Sequence, residues 1–195
     1  MKKVNFTSEA PSKGFPMLPK GAYVCGITNV KVDGREPDQQ LVLRLDIIEG
    51  EYAGYFTKRY QNDSQNSSGK YEVKYKGDFR IQIPDERNAK RQHPEWDQKK
   101  LNTSIWCIEQ SNPGFHWDGE HEMDLKGKIV GISMQYGTFN GIGYTTIGRL
   151  EVADDVRKGA VREMKDRPDR MSDGASATVD QPTGFSVVED VEVPF

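Results

Sequence analysis

The chain has 195 residues, 35% of them hydrophobic, a net charge of −3 and a mean hydropathy of −0.76. That is room for one ordinary domain and a tail, with too little apolar content to pack the whole length. No apolar stretch reaches the length of a signal core or a membrane span, so no membrane partner and a cytoplasmic location are expected. Two distant cysteines, Cys25 and Cys107, exclude a disulfide framework and read as buried thiols. The charge is unevenly placed. From Met171 to Phe195 there is no Lys or Arg, and five acids: Asp173, Asp180, Glu189, Asp190 and Glu192. Removing those five negative charges from the total of −3 leaves the body at +2, a mildly basic body with an acidic tail.

Residues 1–20 show no periodicity and read as a loose arm. Ala22 to Val32 reads as a long strand. Val24, Thr28, Val30 and Val32 share one face, and Tyr23, Cys25 and Ile27 the other, with Gly26 marking a bend. Gly34 to Asp38 supplies a turn. Leu41, Leu43, Leu45 and Ile47 then alternate with Val42, Arg44, Asp46 and Ile48, the clearest period of two in the chain. After the connection Glu49–Gly54, a third strand is expected over Tyr55–Gln61, a loop over Asn62–Gly69, and extended chain again over Tyr71–Ile83. Beyond Pro94 the period changes. Leu101, Ile105 and Ile108 stripe one side of a helix, and Asn112-Pro113-Gly114 stops it. Lys128–Tyr136 and Ile142–Val152 read as two more strands, joined through the hairpin signal Asn140-Gly141.

Three strands, a helix and two strands form a mainly β pattern. It fits a five-stranded Greek-key barrel of the oligonucleotide-binding (OB) kind over residues 21–159, with one helix between strands 3 and 4. An SH3-like barrel is the rival. Residues 160–195 turn charged and then rich in Gly, Ala, Ser, Thr and Pro. Such a flexible tail is expected to be disordered, because it cannot bury enough apolar surface to offset ordering.

Two regions carry candidate chemistry. The first mixes rings and cations: Tyr55, Phe56, Lys58, Arg59, Tyr60, Lys70, Tyr71, Lys74, Tyr75, Lys76, Phe79 and Arg80. Cations that follow phosphates and rings on which bases stack are how a single strand is gripped without regard to sequence. The bland account is that strands favour aromatics for packing. Phe139, in the hairpin, is a further exposed-ring candidate. Trp106, beside the helical stripe, reads as packing, and Tyr136 and Tyr144 are weaker candidates. The second region is the end of the chain: Glu189, Asp190, Glu192, Val193, Pro194 and Phe195. Phe195 can fill an apolar pocket while the acids face a basic lip on a partner.

That terminus resembles the tip of bacterial single-stranded DNA-binding proteins, an acidic run followed by Ile-Pro-Phe. Here Val193 stands for Ile, and Val191 interrupts the acids. Leu18-Pro19-Lys20-Gly21-Ala22-Tyr23, Ile48-Glu49-Gly50-Glu51-Tyr52-Ala53-Gly54 and Ser111-Asn112-Pro113-Gly114 are similar to stretches of small phage and mobile-element proteins of that kind. The resemblance implies a protein that coats single-stranded DNA in replication, recombination or repair, with replication and recombination proteins as partners of the tip. A β-barrel adaptor or inhibitor that touches no DNA is the alternative, and an RNA-binding role the third reading. Self-association is left open.

Catalysis is not expected. His93, His116 and His121 show no metal-ligand spacing with one another or with a cysteine. The glycines from Gly137 to Gly143 lack the Lys-Ser/Thr ending of a phosphate loop. No cofactor is expected.

Overall fold

The computed structural model describes residues 15–67, 69, 72–91 and 93–168. Its framework is a five-stranded antiparallel open sheet in the order β3-β2-β1-β4-β5. The strands are β1 (Ala22–Asp33), β2 (Gln40–Ile47), β3 (Asp78–Gln82), β4 (Ile129–Phe139) and β5 (Ile142–Glu151). Three helices join them: α1 (Tyr55–Gln65), α2 (Pro94–Ser111) and the short α3 (Ala153–Arg157). None of the described helices is long and apolar enough to cross a membrane.

β2 organises the core. Leu41, Leu43, Leu45 and Ile47 are at most 1% exposed, so the alternation seen in the sequence is an inward face. β1 pairs with β2 along most of its length and with β4 through Ala22–Gly26. Its register slips at Thr28: Ile27 faces Leu45, and Asn29 faces Arg44. The extra residue is a bulge, and a bulge resets which face each following side chain takes. The two faces expected from simple alternation are corrected accordingly. Val30 and Val32, opposite Leu43 and Leu41, join Cys25 and Ile27 on the inner side.

The expected strand at Tyr55–Gln61 is instead the first part of α1, and the helix continues into the expected loop as far as Gln65. The reason is a cap supplied from another element. Asp46 of β2 accepts from the amides of Phe56 at 3.0 Å and Thr57 at 3.3 Å, satisfying donors that a helix start leaves unpaired. The extended stretch expected from Tyr71 reduces to β3, five residues long. Before it, Gly77 lies so close to β2 that a Cβ would sit 2.4 Å from the Leu45 carbonyl oxygen and 2.8 Å from Phe56.

α2 packs Ile108, fully buried, and Leu101 and Ile105, half-buried, against the sheet. Its first turn is tied by buried Asp97, which pairs with Arg91 through both carboxylate oxygens. β4 and β5 turn at Asn140-Gly141, both with positive φ, 51° and 75°, as a two-residue hairpin of the I′ kind requires. Cys25 and Cys107 are free and buried, and burial pushes both thiols up, Cys107 to about 11.

The boundaries set at Gly21 and Gly159 need widening. Leu18 is fully buried, and its amide donates to the Tyr55 hydroxyl at 2.9 Å. At the other end, the Arg167 amide donates to the Tyr136 carbonyl at 2.8 Å. Lys20 pairs with Glu163 and Asp166. Residues on both sides of the expected limits, Leu18 to Lys20 and Glu163 to Arg167, therefore pack with the body.

Candidate nucleic-acid interface

Strand parity builds one face opposite the core. Directly paired residues share a face, so the register sets Lys31, Val42 and Arg80 in one row across β1, β2 and β3. Asn29, Arg44 and Asp78 form the row on one side of it, and Asp33, Gln40 and Gln82 the row on the other. The neighbouring residues Leu41, Leu43, Phe79 and Ile81 point the other way and are buried.

Rings flank the Arg44 row. The Arg44 guanidinium lies 4.7 Å from the centre of the Tyr75 ring, within cation–π range. Tyr60 of α1 lies against Tyr75, ring centres 5.7 Å apart, and is 40% exposed. Tyr75 is anchored by its hydroxyl, which donates to the Leu45 carbonyl at 3.1 Å and lies 3.3 Å from Thr57 Oγ1. Burial pushes this phenol up to about 12, so it stays a neutral donor. Lys74 and Lys76, on the approach to β3, are exposed.

The cations on this face are partly answered by acids. Arg44 donates to Asp78 at 3.0 and 3.4 Å. Asp33 takes both Arg80 at 2.9 Å and Lys31 at 3.4 Å. The Arg80 guanidinium, hydrogen-bonded to it, holds the Asp33 carboxyl below its usual range, so the acid is ionised at neutral pH. The Asp33 pairs are exposed and therefore weak, so an incoming phosphate can exchange with that carboxylate at modest cost, whereas Asp78 is part-buried against Arg44.

Of the rings and cations singled out in the sequence, the structure brings Tyr60, Tyr75 and Arg80 onto this face, with Lys74 and Lys76 beside it. Tyr55, Phe56 and Phe79 are corrected: they are at most 5% exposed and belong to the core, where Tyr55 and Phe56 meet edge-on at 5.4 Å. Lys58 and Arg59 turn back onto α1 and its entry. Lys58 donates to the Ala53 carbonyl at 2.7 Å, and Arg59 lies by Tyr55 and Asp63. Phe139 is 48% exposed at the β4–β5 hairpin, on the far side of β1 from β2 and β3. Tyr71, Lys70 and the whole tip Glu189, Asp190, Glu192, Val193, Pro194 and Phe195 lie outside the described residues.

Lys31 and Arg44 were not singled out, although the signal was present. Arg44 has the opposite parity to the leucines of β2, so it had to leave the core. Lys31 was hidden by the bulge at Thr28.

On the other side of the sheet, α2 and the loop after it enclose a cavity of about 560 Å³. Val32, Leu41, Ile83, Leu101 and Trp106 form its apolar wall, and Glu109, Asp118, Glu120 and Glu122 its acidic rim. Trp106 is 53% exposed there, so it is less packed than its place beside the helical stripe implied. Compared with known proteins, the sequence matches no protein-family model and no curated protein.

Proposed function

We propose that this chain binds single-stranded DNA, largely without regard to sequence, across the outer face of β1, β2 and β3. The observation that carries the reading is the set of Lys31, Arg44 and Arg80 in adjacent rows beside the Tyr60–Tyr75 pair. Cations spaced along a sheet and rings at their edge are the two elements of a sequence-tolerant grip. The sheet order supports an OB-type reading. A long bent β1 paired with both β2 and β4 is what such a fold uses, and α2 spans the open side between β3 and β5 where strands would otherwise close a barrel. The C-terminal tip, by its resemblance to the acidic tips of single-stranded DNA-binding proteins, would recruit replication or recombination proteins.

The test is fluorescence anisotropy of labelled oligo-dT, its duplex and the matching RNA strand at two salt concentrations. Preference for the single DNA strand that falls steeply with salt is the expected result, because each phosphate contact releases counterions. Equal binding to duplex, or none, overturns the reading. Removal of Glu189–Phe195 should leave DNA affinity intact and abolish partner capture.

The apolar cavity beside α2 favours a second reading, a protein-binding module that touches no DNA. Unshifted oligonucleotides at low salt would select it.

A further inference from the structure

The two edge strands of the sheet, β3 and β5, are bridged by α2, and a groove of about 290 Å³ opens between them. Phe79 and Leu150 form its floor, and Trp96, Lys99, Lys100 and Arg149 its walls. We infer that these four wall residues form a second contact for a single strand, a subsite that stacks one base and holds its phosphate as the chain passes over the β3 edge. The inference rests on the sheet-face reading above and extends its path.

Trp96 is 65% exposed, an unusual position for the largest apolar side chain. His93 stacks on it, ring centres 4.0 Å apart and planes 18° from parallel, so the indole is held in one orientation and still meets solvent. A ring held in place loses little freedom when a base settles on it. Lys99, one turn along α2, is exposed and has no ion-pair partner among the described residues. Lys100 reaches across the Phe79 ring at 4.9 Å and donates to the Arg80 carbonyl at 3.1 Å. The groove therefore begins where the Lys31–Arg80 row ends. Arg149 closes the far side. It is paired with Glu151 and donates to the Arg162 carbonyl at 2.9 Å. The acids nearby are each engaged: Glu151 by Arg149 and Glu95 by His93. An exposed fixed ring ringed by cations selects a polyanion with flat apolar faces.

Full-length W96F, W96A and K99E proteins, with wild type, test this by anisotropy on short and long oligo-dT and by tryptophan emission. Long oligo-dT should quench wild-type emission, and W96F should lose a clear share of that quench. W96A should weaken binding of long oligo-dT by roughly 5-fold or more, the value of one stacked base, and leave an oligonucleotide that spans only the sheet face unchanged. K99E should act in the same direction, with a shallower salt dependence. Because Trp96 is 65% exposed, W96F keeps the fold, and it separates loss of the indole from any change of structure in W96A. Undiminished quench in W96F with wild-type affinity for long oligo-dT, while removal of Arg44 and Arg80 weakens binding, overturns the subsite and leaves the sheet face standing. Absence of single-strand binding in the wild type overturns both.

Discussion

The outer face of β1, β2 and β3 and the cavity beside α2 are made from the same strands, yet their charges are opposed. Lys31 and Val32 are adjacent in sequence. Lys31 joins Arg80 on the outer face, while Val32 lines the cavity. Around the cavity stand Glu109, Asp118, Glu120 and Glu122; across the outer face run Lys31, Arg44 and Arg80. A net charge of −3 therefore says little about partners. Strand parity keeps Lys31, Arg44 and Arg80 on the outer face, where Asp33 and Asp78 partly offset them. α2 and the loop after it bring acids to the cavity rim. Of these two poles, a polyanion meets the outer face more favourably.

The strongest way to break the comparison is to remove the cations. Arg44→Ala with Arg80→Ala should weaken oligo-dT binding by roughly 10- to 100-fold at low salt, the value of two charge-assisted contacts. It should also lower the log–log salt slope by about 1.4, roughly 0.7 for each lost contact to a single strand. Trp106→Ala, at the cavity, should stay within about 2-fold of wild type by the same anisotropy measurement. If the cavity variant loses as much as the double variant, the strand does not run over the sheet face.

The next largest effects are on stability, and they bear on the face through its rings. Gly77→Ala would drive a methyl against the Leu45 carbonyl, at 2.4 Å, and should cost about 1–3 kcal/mol by denaturant titration. Asp46→Ala removes the acceptor for the Phe56 and Thr57 amides and should cost about 1–2 kcal/mol. Both changes loosen Tyr75 or Tyr60, so oligo-dT affinity should fall with stability. Neither touches the cavity wall.

These same residues mark where the sequence could and could not be read. The alternation of β2 and the stripe of Leu101, Ile105 and Ile108 are local periodicities, and they emerge as a buried strand face and a packed helix face. Asn140-Gly141 encodes its own turn. α1 does not encode itself. Its amides are capped by Asp46, ten and eleven residues earlier on another element, and its mix of rings and cations reads equally well as a strand. The bulge at Thr28 is set by pairing with β2, so no count along β1 could place Lys31. For the candidate face, Tyr60, Tyr75 and Arg80 were legible as residue types. Their separation from Tyr55, Phe56 and Phe79 depends on burial, which only the assembled core decides. Trp96 lay at a helix start whose stripe pointed elsewhere.

A smaller effect sharpens the picture of the face. Asp78 holds Arg44 at 3.0 Å, so Asp78→Asn should release the guanidinium to phosphate. Asp78 is only 16% exposed, so the pair is part-buried, and a gain of at least about 2- to 3-fold in oligo-dT affinity is expected. A loss would mean that Asp78 serves chiefly to aim Arg44 at the strand.

The smallest expected effect lies at the cavity rim and tests whether the two poles act separately. His121 Nδ1 meets Asp118 Oδ2, and this hydrogen bond raises the imidazole above its ordinary value of 6.5 while holding the carboxyl low. The folded state thus favours protonated His121. Its contribution to stability is complete below the unfolded midpoint of about 6.5 and fades as pH rises through the raised folded midpoint. Both groups are exposed, so the readout is the ring itself. The His121 proton shifts should titrate above 6.5, and Asp118→Asn should bring the midpoint back down. Oligo-dT affinity should not follow that titration, because the pair sits beside the acidic rim and no histidine stands in the Lys31, Arg44 and Arg80 rows. An affinity that tracks the His121 midpoint would place the rim within reach of the bound strand, and the division into two poles would fail.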